Sequence, residues 1–442
     1  MAKRDHFATR LGFVLAAAGS AVGLGNIWKF PFMTGQNGGG AFLVLYIAFV
    51  LTIGLSVMLA EFAIGRAGQR NPVGSFRALK GEAWPAVGGL GVVAGFVILS
   101  FYSVVGGWTL AYAIKSVSGA LASNDPKVLG AAFGAFIANP LDVIGFHTAF
   151  MVLTLVIVAG GVRHGIERAA RILMPILALL VIVLSVRAVT LDGAAKGIAF
   201  FLTPDFSRVT WNTVNAALGQ AFFSLSLGMG TMITYASYLD RRVNLPKTAA
   251  QVTLLDTGFA VVAGLMVLPA VFAFGFDPAA GPGLTFITLP AVFAQMPAGA
   301  LFAFLFFALL AIAALTSAVS IIEPVVSYLI DERKMSRRAA TWAAGAVTWA
   351  LGVPSALSLG PWKDVTVGGK GILDAVDYLA SNIMLPLGGI LITLFVGWSV
   401  AARAVDEAQS GGDHPFALAK VWIFICRFVA PAAVAWVMIS GL

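Results

Sequence analysis

The sequence predicts an all-α integral membrane protein of eleven transmembrane helices, two of them interrupted. Three observations predict it. Of 442 residues, 59% are hydrophobic and only 11% charged, far from the composition of a chain that folds in water. Apolar runs of about 20 residues, each able to cross a hydrocarbon core roughly 30 Å thick, recur from end to end. Lys and Arg then cluster in alternate connections, as short cytoplasmic loops of a membrane protein do.

The runs lie near residues 10–35, 40–69, 84–121, 143–161, 167–190, 210–238, 246–275, 299–330, 337–354, 371–403 and 417–440. The first follows Lys3, Arg4, Asp5, His6 and Arg10 and lacks a small-residue cleavage site, so it reads as a retained span. One set of alternate connections carries Lys3 and Arg4, then Arg66, Arg70, Arg77 and Lys80, then Arg163, Arg168 and Arg171. The set continues with Arg241, Arg242 and Lys247, then Arg333, Lys334, Arg337 and Arg338, while the opposite set is nearly bare. This places the N-terminus in the cytoplasm and, after eleven spans, the C-terminus outside, in the inner (plasma) membrane. The net charge of +8 is mostly this bias, which argues against a nucleic-acid partner. Cys426 stands alone, so no internal disulfide forms, and His6, His147, His164 and His414 are scattered without metal-ligand spacing. No activated nucleophile or pair of acids supports an enzyme.

The first run contains GSAVGLGNIWKFP from Gly19 to Pro31, rich in glycine and holding Asn26. In lipid, unwound backbone survives only where a cavity, ligand or ion takes over its hydrogen bonds. The sixth run contains SLSLGMG from Ser224 to Gly230, with Gln220 before it and Thr234, Tyr235 and Ser237 after it. For the first stretch alone, a glycine-lined helix crossing is the alternative. Five helices separate the two, and an odd offset inverts topology, so the breaks point to a 5+5 inverted repeat. On that reading residues 1–191 form the first repeat, 192–403 the second and 404–442 hold the eleventh helix, all in one membrane domain.

Five stretches carry a resemblance. They are Arg10 to Pro31, NGGGAF from Asn37 to Phe42, SLSLGMG with TYASY to Tyr238, TFITLPAVF from Thr285 to Phe293, and ALTS from Ala314 to Ser317. Together they resemble the neurotransmitter:sodium symporter family, specifically its bacterial amino-acid transporters, over spans one to ten. The resemblance implies sodium-coupled symport of an amino acid into the cell by alternating access. Na⁺ at two sites is then the expected cofactor and an amino acid the expected small-molecule substrate, with no organic cofactor and no obligatory protein partner.

By that resemblance one sodium site uses the Ala21 carbonyl, Asn26, Ser224 and Asp256. A second uses the carbonyls of Gly19, Val22 and Ala313 with the hydroxyls of Thr316 and Ser317. Such sets suit a hard cation that wants several oxygens. Alone, Thr316 and Ser317 read as hydroxyls bonded back to their own helix. Asp256 carries separate weight, because an intramembrane carboxylate is expensive and usually functional. Animal members of the family bind chloride here, which would lie among Tyr46, Gln220, Ser224 and a hydroxyl whose place is taken by Ala260. Asp256 is expected to supply that negative charge instead, making transport independent of chloride. The alternative is an Asp256 solvated near the cytoplasmic end.

Half-helix N-termini and free amides favour an anionic group, which suits an amino-acid carboxylate. The resemblance assigns that group to the Tyr102 hydroxyl with backbone at Leu24 and Gly25, beside Ala21 and Ser224. Gly23 stands where monoamine carriers have Asp, so the substrate must bring its own carboxylate. The side-chain end falls to Ser20, Ile98, Phe223, Ser226, Met229, Ser320 and Ile321, which offers no charge. Methionine repacks readily, so a range of aliphatic and aromatic L-amino acids is expected. Each of these residues taken singly reads as ordinary packing. GABA, betaine or a purely sensory role are the alternatives.

Two gates complete the resemblance: Lys29 with Asp377 outside, over Tyr102 and Phe223, and Arg4 with Asp331 inside, near Tyr238. Lys29 replaces the commoner arginine and loses its bidentate contact. Phe7 replaces a usual tryptophan and Glu323 a usual glutamine. If sodium touches the carboxylate, each ligand stabilises the other's site, and that reciprocity is the coupling. Two ions driven by a tenfold gradient and 100 mV supply roughly 7 kcal/mol. That supports about five decades of zwitterion accumulation.

Overall fold

Runs that are apolar on every side give helices that can meet neighbours on one face and lipid on another. The helix Arg168–Val189 illustrates it: Met174, Leu177, Val181 and Leu184 are buried, while Ile172, Leu179, Ile182 and Val186 are exposed. The structure, a computed structural model, describes residues 5–81, 83–279, 281 and 283–440. The first part of the chain forms α1 (Arg10–Ala21), α2 (Phe30–Gln36), α3 (Gly40–Phe49), α4 (Leu55–Gly68), α5 (Pro72–Leu79), α6 (Pro85–Val117), α7 (Pro126–Ala138) and α8 (Pro140–Ala159). It continues with α9 (Arg168–Val189), α10 (Ala194–Leu202), α11 (Trp211–Ser224), α12 (Thr231–Ala236), α13 (Leu245–Ala273), α14 (Leu289–Ala294), α15 (Gly299–Arg333) and α16 (Arg337–Leu357). A short antiparallel hairpin, β1 (Thr366–Val367) with β2 (Lys370–Gly371), precedes α17 (Ile372–Tyr378), α18 (Leu385–Leu394), α19 (Ala401–Ala408), α20 (Ala419–Phe424) and α21 (Ala430–Ser440).

Among the described residues, eight helices are long and apolar enough to cross a membrane, several of them continuous through π-helical turns, as in Gly40–Gly68 and Ile372–Ser399. Arg10–Ala21 and Gly25–Gln36, bent by 49° across their break, make a ninth. The protein is thus an all-α membrane protein. α11 and α12 are separated by non-helical chain, and α16 is diluted by Thr, Trp, Gly, Pro and Ser, so neither adds to that number. The fourth run starts at Pro140, earlier than its apolar stretch, because the Asn139 side chain caps it through the Leu141 N–H. The short helices α5, α7, α10, α14 and α19 have no apolar run of spanning length and escape a hydropathy reading. At the centre, α6 packs along α15, and α1 lies against α9, α13 and α15.

Candidate functional site

The second break spans residues 225–230, between α11 and α12. Ser226, Gly228 and Gly230 hold φ of +54°, +84° and +75°, left-handed values that a helix cannot absorb. A Cβ at Gly228 would strike the Leu385 carbonyl, so conformation and contact both demand glycine. Ser226 has no such licence, and its hydroxyl donates to the Ser20 carbonyl at 2.9 Å. That bond ties the second break to the first. The first break is shorter than the sequence implied: only Val22 and Gly23 leave the helix, and the chain resumes as a π-helical turn, Gly25–Lys29. Asn26 therefore sits in a widened helical turn and not in fully unwound chain.

Around these breaks lies a buried polar cluster. Asn26 Nδ2 donates to Asp256 Oδ1 at 2.8 Å and to its carbonyl at 3.1 Å. Ser224 Oγ donates to Asp256 Oδ2 at 2.8 Å, and the Tyr46 hydroxyl reaches the same oxygen at 3.4 Å. Asp256 is 0% exposed, which removes the alternative of a solvated carboxylate. Among the described residues no Lys or Arg pairs with it. An ionised carboxylate buried without a countercharge is costly, so this cluster suits a cation held by the Asp256, Asn26 and Ser224 oxygens. Gln220 Nε2 donates to the Gly25 carbonyl at 2.8 Å beside it, and Ala260 lines the same helix as Asp256.

A second group of oxygens gathers between α1 and α15. Ser317 Oγ lies 3.4 Å from the Gly19 carbonyl and 3.1 Å from that of Ser20. Thr316 Oγ1 lies 3.0 Å from the Ala313 carbonyl. Thr316 thus keeps the bond to its own helix, whereas Ser317 reaches across to the first break. Val22 ends α1, with its N–H on the Ala18 carbonyl.

Beside both groups is a small cavity with no charged residue in its wall. Ser20, Ala21, Leu24, Gly25, Ile98, Tyr102, Phe223, Ser226, Met229 and Ile321 all line it, as expected. Leu24 N–H donates to the Tyr102 hydroxyl at 3.4 Å. Two expected residues stand behind the wall. Ser320 lies outside the lining, 2.7 Å from Ser20 Oγ, and Ser224 is turned toward Tyr46 and Asp256. The sequence reading missed Phe101, Ser381 and Leu385 in the lining. The last two follow Asp377 at helical spacing, the one signal that could have found them.

Glu61 was also missed. Fully buried in α4, it accepts the Gly228 N–H at 2.7 Å and so holds the second break from outside. A lone carboxylate inside an apolar run was the available clue.

The expected outer pair is not joined in this conformation. Lys29 Nζ sits 4.2 Å from the centre of the Phe223 ring, a cation–π contact, while Asp377 accepts from Ser381 Oγ at 2.8 Å. Lysine's compact charge on a flexible stem allows this choice. A larger cavity, about 310 Å³, begins beyond Phe223 and is bordered by Lys29. At the opposite end Tyr238 donates to Glu323 Oε1 at 2.7 Å, and Arg337 grips both Glu323 oxygens at 2.8 and 2.6 Å. This bidentate pairing explains why a carboxylate stands at position 323. Asp331 accepts from the Asn71 N–H at 2.7 Å, and Phe7 packs on Tyr235 and Tyr238. Arg4, its expected partner, lies outside the described residues. If Asp377 gates the sodium-driven uptake that the resemblance implies, Asp377→Asn is expected to slow it about tenfold while membrane expression stays within twofold, measured on the same vesicles by initial rates and immunoblot.

A family model described as the sodium:neurotransmitter symporter family matches residues 4–128 and 143–442. An uncharacterized sodium-dependent transporter of Bacillus subtilis (strain 168) is 41% identical over 440 residues, covering 99% of this chain and 98% of its own. The sodium- and chloride-dependent GABA transporter 2 of Homo sapiens is 27% identical over 99% of this chain and 80% of its own. The crystal structure of MhsT in complex with L-phenylalanine superposes with a TM-score of 0.91, at 46% identity and full coverage of both chains.

Proposed function

The chain belongs to the sodium:neurotransmitter symporter family, and from that premise we propose that it imports hydrophobic L-amino acids, aliphatic and aromatic, coupled to sodium and without chloride. Its family is one of sodium-dependent transporters and not of enzymes. One observation carries the finer reading: two broken helices, tied by Ser226 to Ser20, share an uncharged cavity walled by apolar groups and by the hydroxyls of Tyr102 and a few serines, next to a buried Asp256.

In this reading Tyr102, with the amides of Leu24 and Gly25, holds the carboxylate. Asp256, Asn26, Ser224 and the Ala21 carbonyl hold one sodium ion. Thr316, Ser317 and the carbonyls of Gly19, Val22 and Ala313 hold another, tying α1 to α15. The uncharged wall favours apolar side chains, and L-phenylalanine in the similar MhsT structure supports an aromatic substrate. Eleven helices in a 5+5 repeat plus one, with the basic loops and the N-terminus in the cytoplasm, complete the proposal. Opening alternates between the Lys29–Phe223–Asp377 end and the Tyr238–Glu323–Arg337 end.

Purified protein in liposomes tests it. Phenylalanine, leucine and tryptophan should be concentrated only with an inward sodium gradient, and gluconate in place of chloride should leave the rate unchanged. Uptake of GABA or betaine with none of these three would overturn the substrate class, and a large loss in gluconate would overturn chloride independence.

A further inference from the structure

The helix that carries Asp377 and the short helix that follows it after Val400 answer to different neighbours. α17 and the π-helical turn after it, Leu379–Met384, pack on α6, the helix of Tyr102, whereas α19 packs on α4. What fastens α19 is Arg66, in the last turn of α4, whose side chain is completely buried. Its Nε donates to Glu407 Oε1 at 2.5 Å, and its Nη2 donates to the Glu407 carbonyl and, at 3.3 Å, to Ser410 Oγ. Its Nη1 donates to the Val243 carbonyl, in the loop that follows α12, and Ser410 Oγ reaches that carbonyl at 3.3 Å. His414 Nε2 lies 3.0 Å from the neighbouring Arg242 carbonyl. A planar guanidinium can serve these directions at once, which an ammonium cannot.

We propose that Arg66 and Glu407 are positioning residues for transport. They anchor α19, which follows the Asp377 helix across a break at Val400, to α4 and to the loop after α12, so movement of those elements against α6 is taken up between Glu407 and Asp377. It is shared by Val400 and the two widened turns, Phe395–Ser399 and Leu379–Met384, and through the second it reaches Ser381 and then Leu385 in the cavity wall. Breaking the anchor leaves substrate and ion contacts intact but uncouples the outer gate from the cytoplasmic end.

The test compares Glu407→Ala, Glu407→Gln and wild type, and it rests on the transport reading above. Arg66 is left in place because its removal would strand the Val243 and Glu407 carbonyls together. In Glu407→Ala the maximal rate of phenylalanine uptake should fall about tenfold while the dissociation constant for phenylalanine stays within about twofold. Hydrogen exchange should quicken in residues 372–385 as well as in 401–414, and Glu407→Gln, which still accepts from Nε, should restore most of the rate. An unchanged rate, faster exchange confined to 401–414, or a dissociation constant that shifts as much as the rate would each overturn the proposal. Failure of wild type to take up phenylalanine counts against the transport reading alone, because the exchange comparison still decides the anchor.

Discussion

Asp256→Asn is expected to cut sodium-driven uptake by at least roughly 100-fold in chloride-free buffer, and external chloride should recover part of the loss. The carboxylate is fully buried, accepts from Asn26, Ser224 and Tyr46, and has no Lys or Arg partner among the described residues. Removing one member of a buried charge pair typically costs about 3–5 kcal/mol, and at 1.4 kcal/mol per decade that is about two to three and a half decades of sodium affinity. Asparagine keeps the shape and can still accept from Asn26, so the loss reports charge rather than packing. A chloride ion beside Tyr46, Gln220 and Ser224 would return a negative charge to the same place. Initial rates of labelled phenylalanine uptake in chloride and in gluconate read both effects. Wild-type rates in gluconate would show that the charge of Asp256 is not what sodium uses.

Tyr102→Phe is the second large effect. The ring stays and fills its place, while the hydroxyl that accepts the Leu24 N–H is lost. A hydrogen bond to a charged group contributes about 1.5–3 kcal/mol, so the dissociation constant for phenylalanine should rise by roughly 10- to 150-fold. Equilibrium binding of labelled phenylalanine at saturating sodium measures it, with phenylalaninamide as the control. The amide, lacking a carboxylate, should bind weakly and almost equally to both forms. An unchanged affinity for phenylalanine would remove Tyr102 from the carboxylate site.

How much of this could be read in the chain depends on the kind of interaction. The two breaks were legible because glycine and polar residues in an apolar run have no other cheap reading in lipid. Asp256 was legible for the same reason. The extent of the first break was not, since a π-helical turn and an unwound strand draw on the same small residues. Lys29 was placed at the outer gate, but nothing in a sequence decides whether an ammonium chooses the Phe223 ring or the Asp377 carboxylate. Ser381 and Leu385 reach the cavity only because their helix leans on α6, a tertiary fact. Arg66 was read as one more basic loop residue, and its burial depends on Glu407, 341 positions away. Glu61 offered only its lone carboxylate in an apolar run as a clue, because its partner, the Gly228 amide, leaves no trace in residue type.

The central claim is that the two interrupted helices bind sodium and the substrate carboxylate together. Titrating phenylalanine binding at rising sodium, with choline holding ionic strength, tests it most directly. The account predicts that affinity climbs steeply with sodium, and that phenylalanine tightens sodium binding by the same factor. Phenylalanine binding that stays equally tight when choline replaces all the sodium would contradict it.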